Sequence, residues 1–291
     1  MSFPISQVKA DDFPPLLREI PQPAESLNYR GTLPDPKLKL LCVVGSRQYT
    51  TYGKQVVDQL ISGLKGHSVG IISGLALGID SLAHTAALRN DLYTMAVPGS
   101  GIDDAVIYPA RHKSLAKQIL EAGGSLLSEF EPTFQATKWS FSQRNRIMAG
   151  LSHATLLIEA APQSGTLITA RLATDYNREL LVVPGSIFST NSQGVHQFLK
   201  LGATPVTEAN DILYSLGIDP EKKPSQASFE AALSDLSPAE QKIISKLLEP
   251  TDKDTLIRAS GLPAAAANAL LMQMEINELI ISEHNIYRRN I

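Results

Sequence analysis

LKLLCVVGSR, residues 38–47, decides how the rest of the chain is read. Leu38, Leu40, Leu41, Cys42, Val43 and Val44 make a nearly unbroken apolar run that stops at Gly45. That is the pattern of a strand buried on both faces rather than of an amphipathic one. Over residues 52–64 the apolar positions Val56, Val57, Leu60, Ile61 and Leu64 then follow a helical period. A buried strand, a glycine turn and a crossover helix form the first unit of a parallel sheet. Ligands of open α/β sheets bind outside the carboxyl ends of the strands, which puts Gly45, Ser46 and Arg47 on the working rim. The plainer alternative is that Gly45 only makes the turn and Arg47 is a solvated cation.

Outward from this unit the alternation repeats. Strands are predicted at 68–73, 92–97, 124–128, 154–159 and 179–183, with helices at 79–89, 111–122 and 166–176, and glycines close nearly every strand. This is the pattern of a doubly wound, mainly parallel sheet. Residues 1–37 are proline-rich and read as an extended lead-in, residues 38–216 as the sheet domain and residues 217–228 as a polar linker. Residues 229–291 carry three helical segments, at 237–248, 253–260 and from Gly261-Leu262-Pro263 to about 280, and close on a β-hairpin with its turn at His284-Asn285. Three helices and a wing suggest a small winged-helix domain.

The chain has 291 residues, 43% hydrophobic and 19% charged, and a net charge of −3, so any anion site must be local. The single cysteine, Cys42, excludes an internal disulfide framework and reads as a core residue. The N-terminus shows neither a basic n-region nor an apolar h-region, and no apolar run reaches membrane-spanning length; a cytoplasmic protein without a membrane partner is expected.

Nucleotide-cofactor signatures are absent: neither G-x-G-x-x-G after the first strand nor G-x-x-x-x-G-K-[ST] occurs, so no cofactor is expected. Small residues at strand ends remain: Ser73-Gly74 with Gly78 and Asp80, and Ser164-Gly165-Thr166. Each precedes a helix whose N-terminal amides could face an anion, or could be satisfied by capping alone. Residues 132–158 hold Lys138, Arg144 and Arg146 and no acid, and residues 36–57 hold Lys37, Lys39, Arg47 and Lys54 and no acid. Trp139 and Phe141 lie among the first set of cations, a combination that holds single-stranded nucleic acid by stacking and phosphate pairing. Alternatively the two rings are core and the arginines a solvated face. No catalytic constellation is visible: Asp80 and His84 share a helix face as a structural pair, Glu159 has no visible partner, and no cluster has metal-ligand spacing.

Seven ordered motifs resemble the DNA processing protein A (DprA, or Smf) family. They are Gly45-Ser46-Arg47; the run from Ser73 through Asp80 to His84; Tyr108-Pro109; Arg144-Asn145-Arg146 through Ser152; Glu159-Ala160; the run from Ser164 to Ala170; and Val183-Pro184-Gly185-Ser186-Ile187. The resemblance implies an extended Rossmann-like domain that binds single-stranded DNA, forms a homodimer and loads the RecA recombinase during natural transformation. It implies a DNA site made by Arg47, Ser164, Gly165, Thr166 and the segment from Lys138 to Arg146, Asn145 included. A rival enzyme reading comes from the related LOG-type phosphoribohydrolases, with their P-G-G-x-G-T-x-x-E motif. Here, over the aligned run Ala161 to Thr169, the double glycine is lost and Thr169 replaces the catalytic glutamate, and a hydroxyl cannot do a carboxylate's acid–base work near neutral pH. The expectation is a non-enzymatic DNA-binding protein.

Overall fold

A computed structural model describes residues 3–221, 237–247, 251–277, 279–283 and 286–289, in two compact units, 1–223 and 224–291. Nine strands build the sheet of the first unit: β1 (Ser6–Lys9), β2 (Ser26–Gly31), β3 (Lys39–Val44), β4 (Val69–Ser73), β5 (Thr94–Ala96), β6 (Ser125–Ser128), β7 (Ala154–Leu157), β8 (Glu179–Val182) and β9 (Thr204–Pro205). Their spatial order is β1-β2-β6-β5-β4-β3-β7-β8-β9. From β6 to β9 every neighbour is parallel, and β1 and β2 add an antiparallel edge.

The helices of this unit are α1 (Pro15–Arg18), α2 (Thr51–Ser62), α3 (Ile79–Arg89), α4 (Lys113–Glu121), α5 (Lys138–Leu151), α6 (Thr166–Asp175), α7 (Thr190–Lys200) and α8 (Ala209–Ser215). They cover both faces of the sheet, which is why β3 is apolar throughout. Leu40, Cys42 and Val44 enter one core with Ile147 and Leu151 of α5 and Leu167 and Ala170 of α6. Leu41 and Val43 enter the other with Val57 and Ile61 of α2 and Ile79 and Ala83 of α3. Each such aliphatic side chain contributes about 1.5–3 kcal/mol on burial. Cys42 is fully buried and its thiol is pushed up to about 12, chiefly by that burial, as befits a core residue.

One expectation changes, and beyond residue 37 three helices come in addition to those predicted. Residues 1–37 supply two strands of the sheet and the short α1, because β2 pairs with β6 across Asn28–Ser128 to Gly31–Ser125 and carries β1 with it. Residues 138–151 form the long helix α5, which its polar sequence conceals, and α7 and α8 add two further helices to the predicted elements.

The second unit holds α9 (Pro238–Lys246), β10 (Thr251–Asp252), α10 (Lys253–Ser260), α11 (Ala264–Ile276), β11 (Ile280–Glu283) and β12 (Ile286–Arg289), with strand order β10-β12-β11. Its helices and sheet enclose Ile243, Ile244, Leu247, Leu256, Leu271, Met274, Ile280 and Tyr287, the three-helix and wing arrangement of a winged helix. Ser237 and Glu240 form a capping box that starts α9, and Asp252 caps α10 by accepting from the Thr255 amide at 3.0 Å. The α11 helix stops at Ile276, short of the expected 280, and Ile280 opens β11 instead. The expected turn at 284–285, and the expected linker from residue 222 on, lie outside the described residues.

Candidate nucleic-acid interface

From β3 the chain winds to β4, β5 and β6 on one side and to β7, β8 and β9 on the other, so the strand order reverses between β3 and β7. The crevice at such a reversal is where open α/β sheets bind ligands. Here it is a cleft of about 540 Å³ lined by the turn after β3 (Gly45 to Gln48), the loop from β7 into α6 (Ala161 to Thr166) and one face of α5.

Each wall follows from local chemistry. A Cβ on Gly45 would lie 2.6 Å from Ile79, so only glycine lets the start of α3 approach β3. Gly78 adopts φ +84° with its Cα against the backbone of Ser46 and Arg47, and the Ile79 amide donates to the Ser46 carbonyl at 3.1 Å. Across the cleft the Thr166 hydroxyl donates to the Gly45 carbonyl at 3.0 Å, and the Ser164 hydroxyl donates to Thr166 Oγ1 at 2.9 Å. Gly165 then opens α6 with clear space where a Cβ would stand, and no described acceptor takes its N–H. The positive end of α6 faces the cleft.

The helical phase of α5 sorts its residues. Phe141, Arg144, Asn145 and Met148 recur at i, i+3, i+4 and i+7 and line the cleft with Ser142. Trp139 points elsewhere: 55% exposed, it meets Phe130 and Phe134 edge-on at 5.5 and 6.0 Å. Lys138 is exposed at the first position of α5. Arg146 turns to the opposite side, paired with Glu129 and donating to the Gln22 carbonyl at 2.8 Å.

Arg47 is exposed, makes no ion pair among the described residues, and holds its guanidinium 5.5 Å from the centre of the Phe141 ring. Arg144 is buried, donating to the Val97 carbonyl. Below it the Asp80 carboxylate accepts from the Gly74 and Ala76 amides at 3.1 and 3.4 Å. Burial raises the Asp80 pKa, while Arg144, the two amides and Arg47 oppose the rise. Burial lowers that of Arg144, with Asp80 opposing. The cleft thus pairs its one buried acid internally and leaves Arg47 available.

The structure therefore brings Gly45, Ser46, Arg47, Phe141, Arg144, Asn145, Ser164, Gly165 and Thr166 to one cleft. It uses Ser73 and Gly74 within the protein: the Ser73 hydroxyl donates to the Val43 carbonyl at 2.6 Å, and the Gly74 amide is held by Asp80. Glu159 is a cap, accepting from the Thr50 amide at 2.9 Å and from the Thr50 hydroxyl at the entrance to α2. Sequence reasoning missed Gln48, Gln163 and Asn191. Asn191 reaches the cleft by donating to the Gln48 carbonyl at 3.0 Å across 143 residues, a contact no local pattern reveals.

An open, mainly parallel sheet whose reversal crevice offers a helix N-terminus, hydroxyls and an arginine with no ion pair among the described residues defines a Rossmann-like protein with the chemistry of an anion cleft. Comparison narrows the class. The sequence model of the DNA recombination-mediator protein A family matches residues 5–217, and that of the DprA winged helix domain matches residues 227–284. The chain belongs to this family. It is 40% identical over 211 residues to the DNA processing protein DprA of Streptococcus pneumoniae, covering 72% of this chain and 73% of that one. With Protein Smf of Escherichia coli it shares 44% identity over 176 residues, 60% of this chain, and spans only 46% of the length of that relative. A solved structure that describes the single-stranded DNA binding mode of DNA processing protein A from Helicobacter pylori superposes with TM-score 0.64 at 28% identity, covering 74% of this chain and 96% of that one.

Proposed function

We propose that this protein binds single-stranded DNA in the switch-point cleft and, without catalysing a reaction, acts as a recombination mediator that loads a RecA recombinase onto DNA taken up in natural transformation. The observation that carries the reading is the exposed Arg47, without an ion pair among the described residues, which lines one cleft with the open N-terminus of α6 and holds its guanidinium against the Phe141 ring. Charge and helix dipole suit a phosphate, and an aromatic beside them suits an unpaired base. Lys138 stands at the positive end of α5, where an anionic ligand would relieve its repulsion from the helix dipole. The likeness to the Helicobacter pylori protein adds support. Against hydrolysis of nucleotides, Thr169 is a buried hydroxyl where the related enzymes carry a carboxylate, and Glu159 is committed to capping. For partners, α7 is flanked by the exposed apolar residues Ile187, Phe188 and Leu201, a surface suited to a second copy of the chain or to the recombinase.

Fluorescence anisotropy with single-stranded and duplex oligonucleotides at two salt concentrations tests the site reading. Single strands should bind more tightly, with a log–log salt slope of about −0.7 per neutralised phosphate. A flat salt dependence would count against it, and release of free base from nucleoside monophosphates would replace the binding role with an enzymatic one. For loading, the protein should shorten the lag of RecA filament assembly on strands precoated with a single-strand-binding protein; an unchanged lag removes that part.

A further inference from the structure

We propose that Tyr108 is a base-stacking residue that receives the single strand as it leaves the cleft beside Arg47, an inference that rests on the reading of the cleft as a DNA site. The long loop after β5 is fixed at both sides of this tyrosine. Ile107 is buried in the core beneath α4, and His112 binds the Leu75 carbonyl through Nδ1 at 2.7 Å. Tyr108 between them is nevertheless 51% exposed. Its ring lies 5.7 Å from that of Phe141, tilted by 53°. Phe141 is held in turn: a Cβ on Gly99 would fall 2.4 Å from its ring, and Ser140 anchors the start of α5 by donating to the Gly99 carbonyl at 2.6 Å.

Phe141 is therefore shared by two neighbours: the Arg47 guanidinium lies 5.5 Å from the centre of its half-buried ring and the exposed Tyr108 ring 5.7 Å from it. A single exposed tyrosine needs no explanation, but one set against the ring of a cation–ring pair that lines an anion cleft, and itself outside that cleft, offers the next base a flat apolar face. Stacking needs no base-edge readers, so this contact raises affinity without adding sequence preference. Trp139 belongs to the separate Phe130 and Phe134 cluster.

The test compares wild type, Tyr108→Ala, Tyr108→Phe and Arg47→Ala on an oligothymidylate and on an abasic oligonucleotide of equal length. Tyr108→Ala should weaken oligothymidylate binding roughly 5- to 100-fold, and the loss should be confined to the probe that carries bases. Tyr108→Phe should keep the affinity, and Arg47→Ala should weaken both probes. If Tyr108→Ala binds oligothymidylate like wild type while Arg47→Ala does not, the stacking role is wrong and the cleft reading stands. An equal loss on the abasic probe also overturns stacking. If Arg47→Ala binds both probes like wild type, the cleft reading fails and takes the inference with it.

Discussion

Gly74 and Arg144 occupy the same space: a Cβ on Gly74 would fall 1.8 Å from Nη1 of the buried Arg144 guanidinium. Gly74→Ala must displace that cation from the Val97 carbonyl and from Asp80, at a cost of about 1–3 kcal/mol typical of overpacking. Gly165→Ala is the counterpart, because its φ is −58° and nothing stands within 4 Å of the added methyl. It should leave the protein as stable or more so, by about 0.4–1 kcal/mol, yet weaken DNA binding by crowding the start of α6. Urea unfolding and anisotropy on both variants check this; a stable Gly74→Ala would contradict the packing argument.

Arg47→Ala should cost about 1.5–3 kcal/mol of binding to single strands, the worth of a charge-assisted hydrogen bond, with the melting temperature unchanged. The side chain is exposed and makes no ion pair among the described residues, so folding loses little beyond its contact with the Phe141 ring. Trp139→Ala is the informative companion. Its ring edges on Phe130 and Phe134, so a packing role predicts a lower melting temperature with affinity retained, while stacking on DNA predicts about 1–3 kcal/mol weaker binding.

His84 is fully buried with Nδ1 2.7 Å from the Thr94 hydroxyl, and burial pushes its pKa down from 6.5 to about 3. Below 6.5 the unfolded chain takes up a proton that the folded one refuses until about 3, so stability is full above that window and falls as pH drops through it. His84→Gln, which can keep the bond to Thr94, should flatten the dependence of unfolding free energy on pH by about 1.4 kcal/mol per unit between the two values. Parallel slopes for variant and wild type would refute the assignment.

The winged-helix unit should not bind duplex DNA on its own. Residues 229–291 hold nine acids and six bases, and α11, the helix placed to read a groove, has no Lys or Arg. It presents Ala265, Asn268, Ala269 and Met272 to solvent, a face without the cations that phosphate contacts need. The described residues of this unit, from Ile243 to Tyr287, enclose an apolar core of their own, so the fragment 224–291 can be assayed alone. Duplex affinity equal to the full chain's affinity for a single strand would contradict this.

The sheet strands from β3 to β8 were legible because parallel strands buried on both faces read as apolar runs closed by glycine, and α3 because its apolar positions and the glycine before it are local. The turn at Gly45 to Arg47 and the start of α6 at Ser164 to Thr166 were legible for the same reason. The strands β1 and β2 were hidden, since short antiparallel edge strands take their register from β6 and not from their own pattern. In α5, residue type announced cations and rings, but only the docked phase of the helix turned Phe141, Arg144 and Asn145 to the cleft and Arg146 to Glu129. Ser73 and Gly74 looked like donors for a ligand until Val43 and Asp80 claimed them, and Asn191 came to the site through a bond to Gln48. Sequence determines which groups can bind an anion through their chemistry; which remain free to do so is decided by long-range hydrogen bonds and helix phase, which exist only once the sheet has formed.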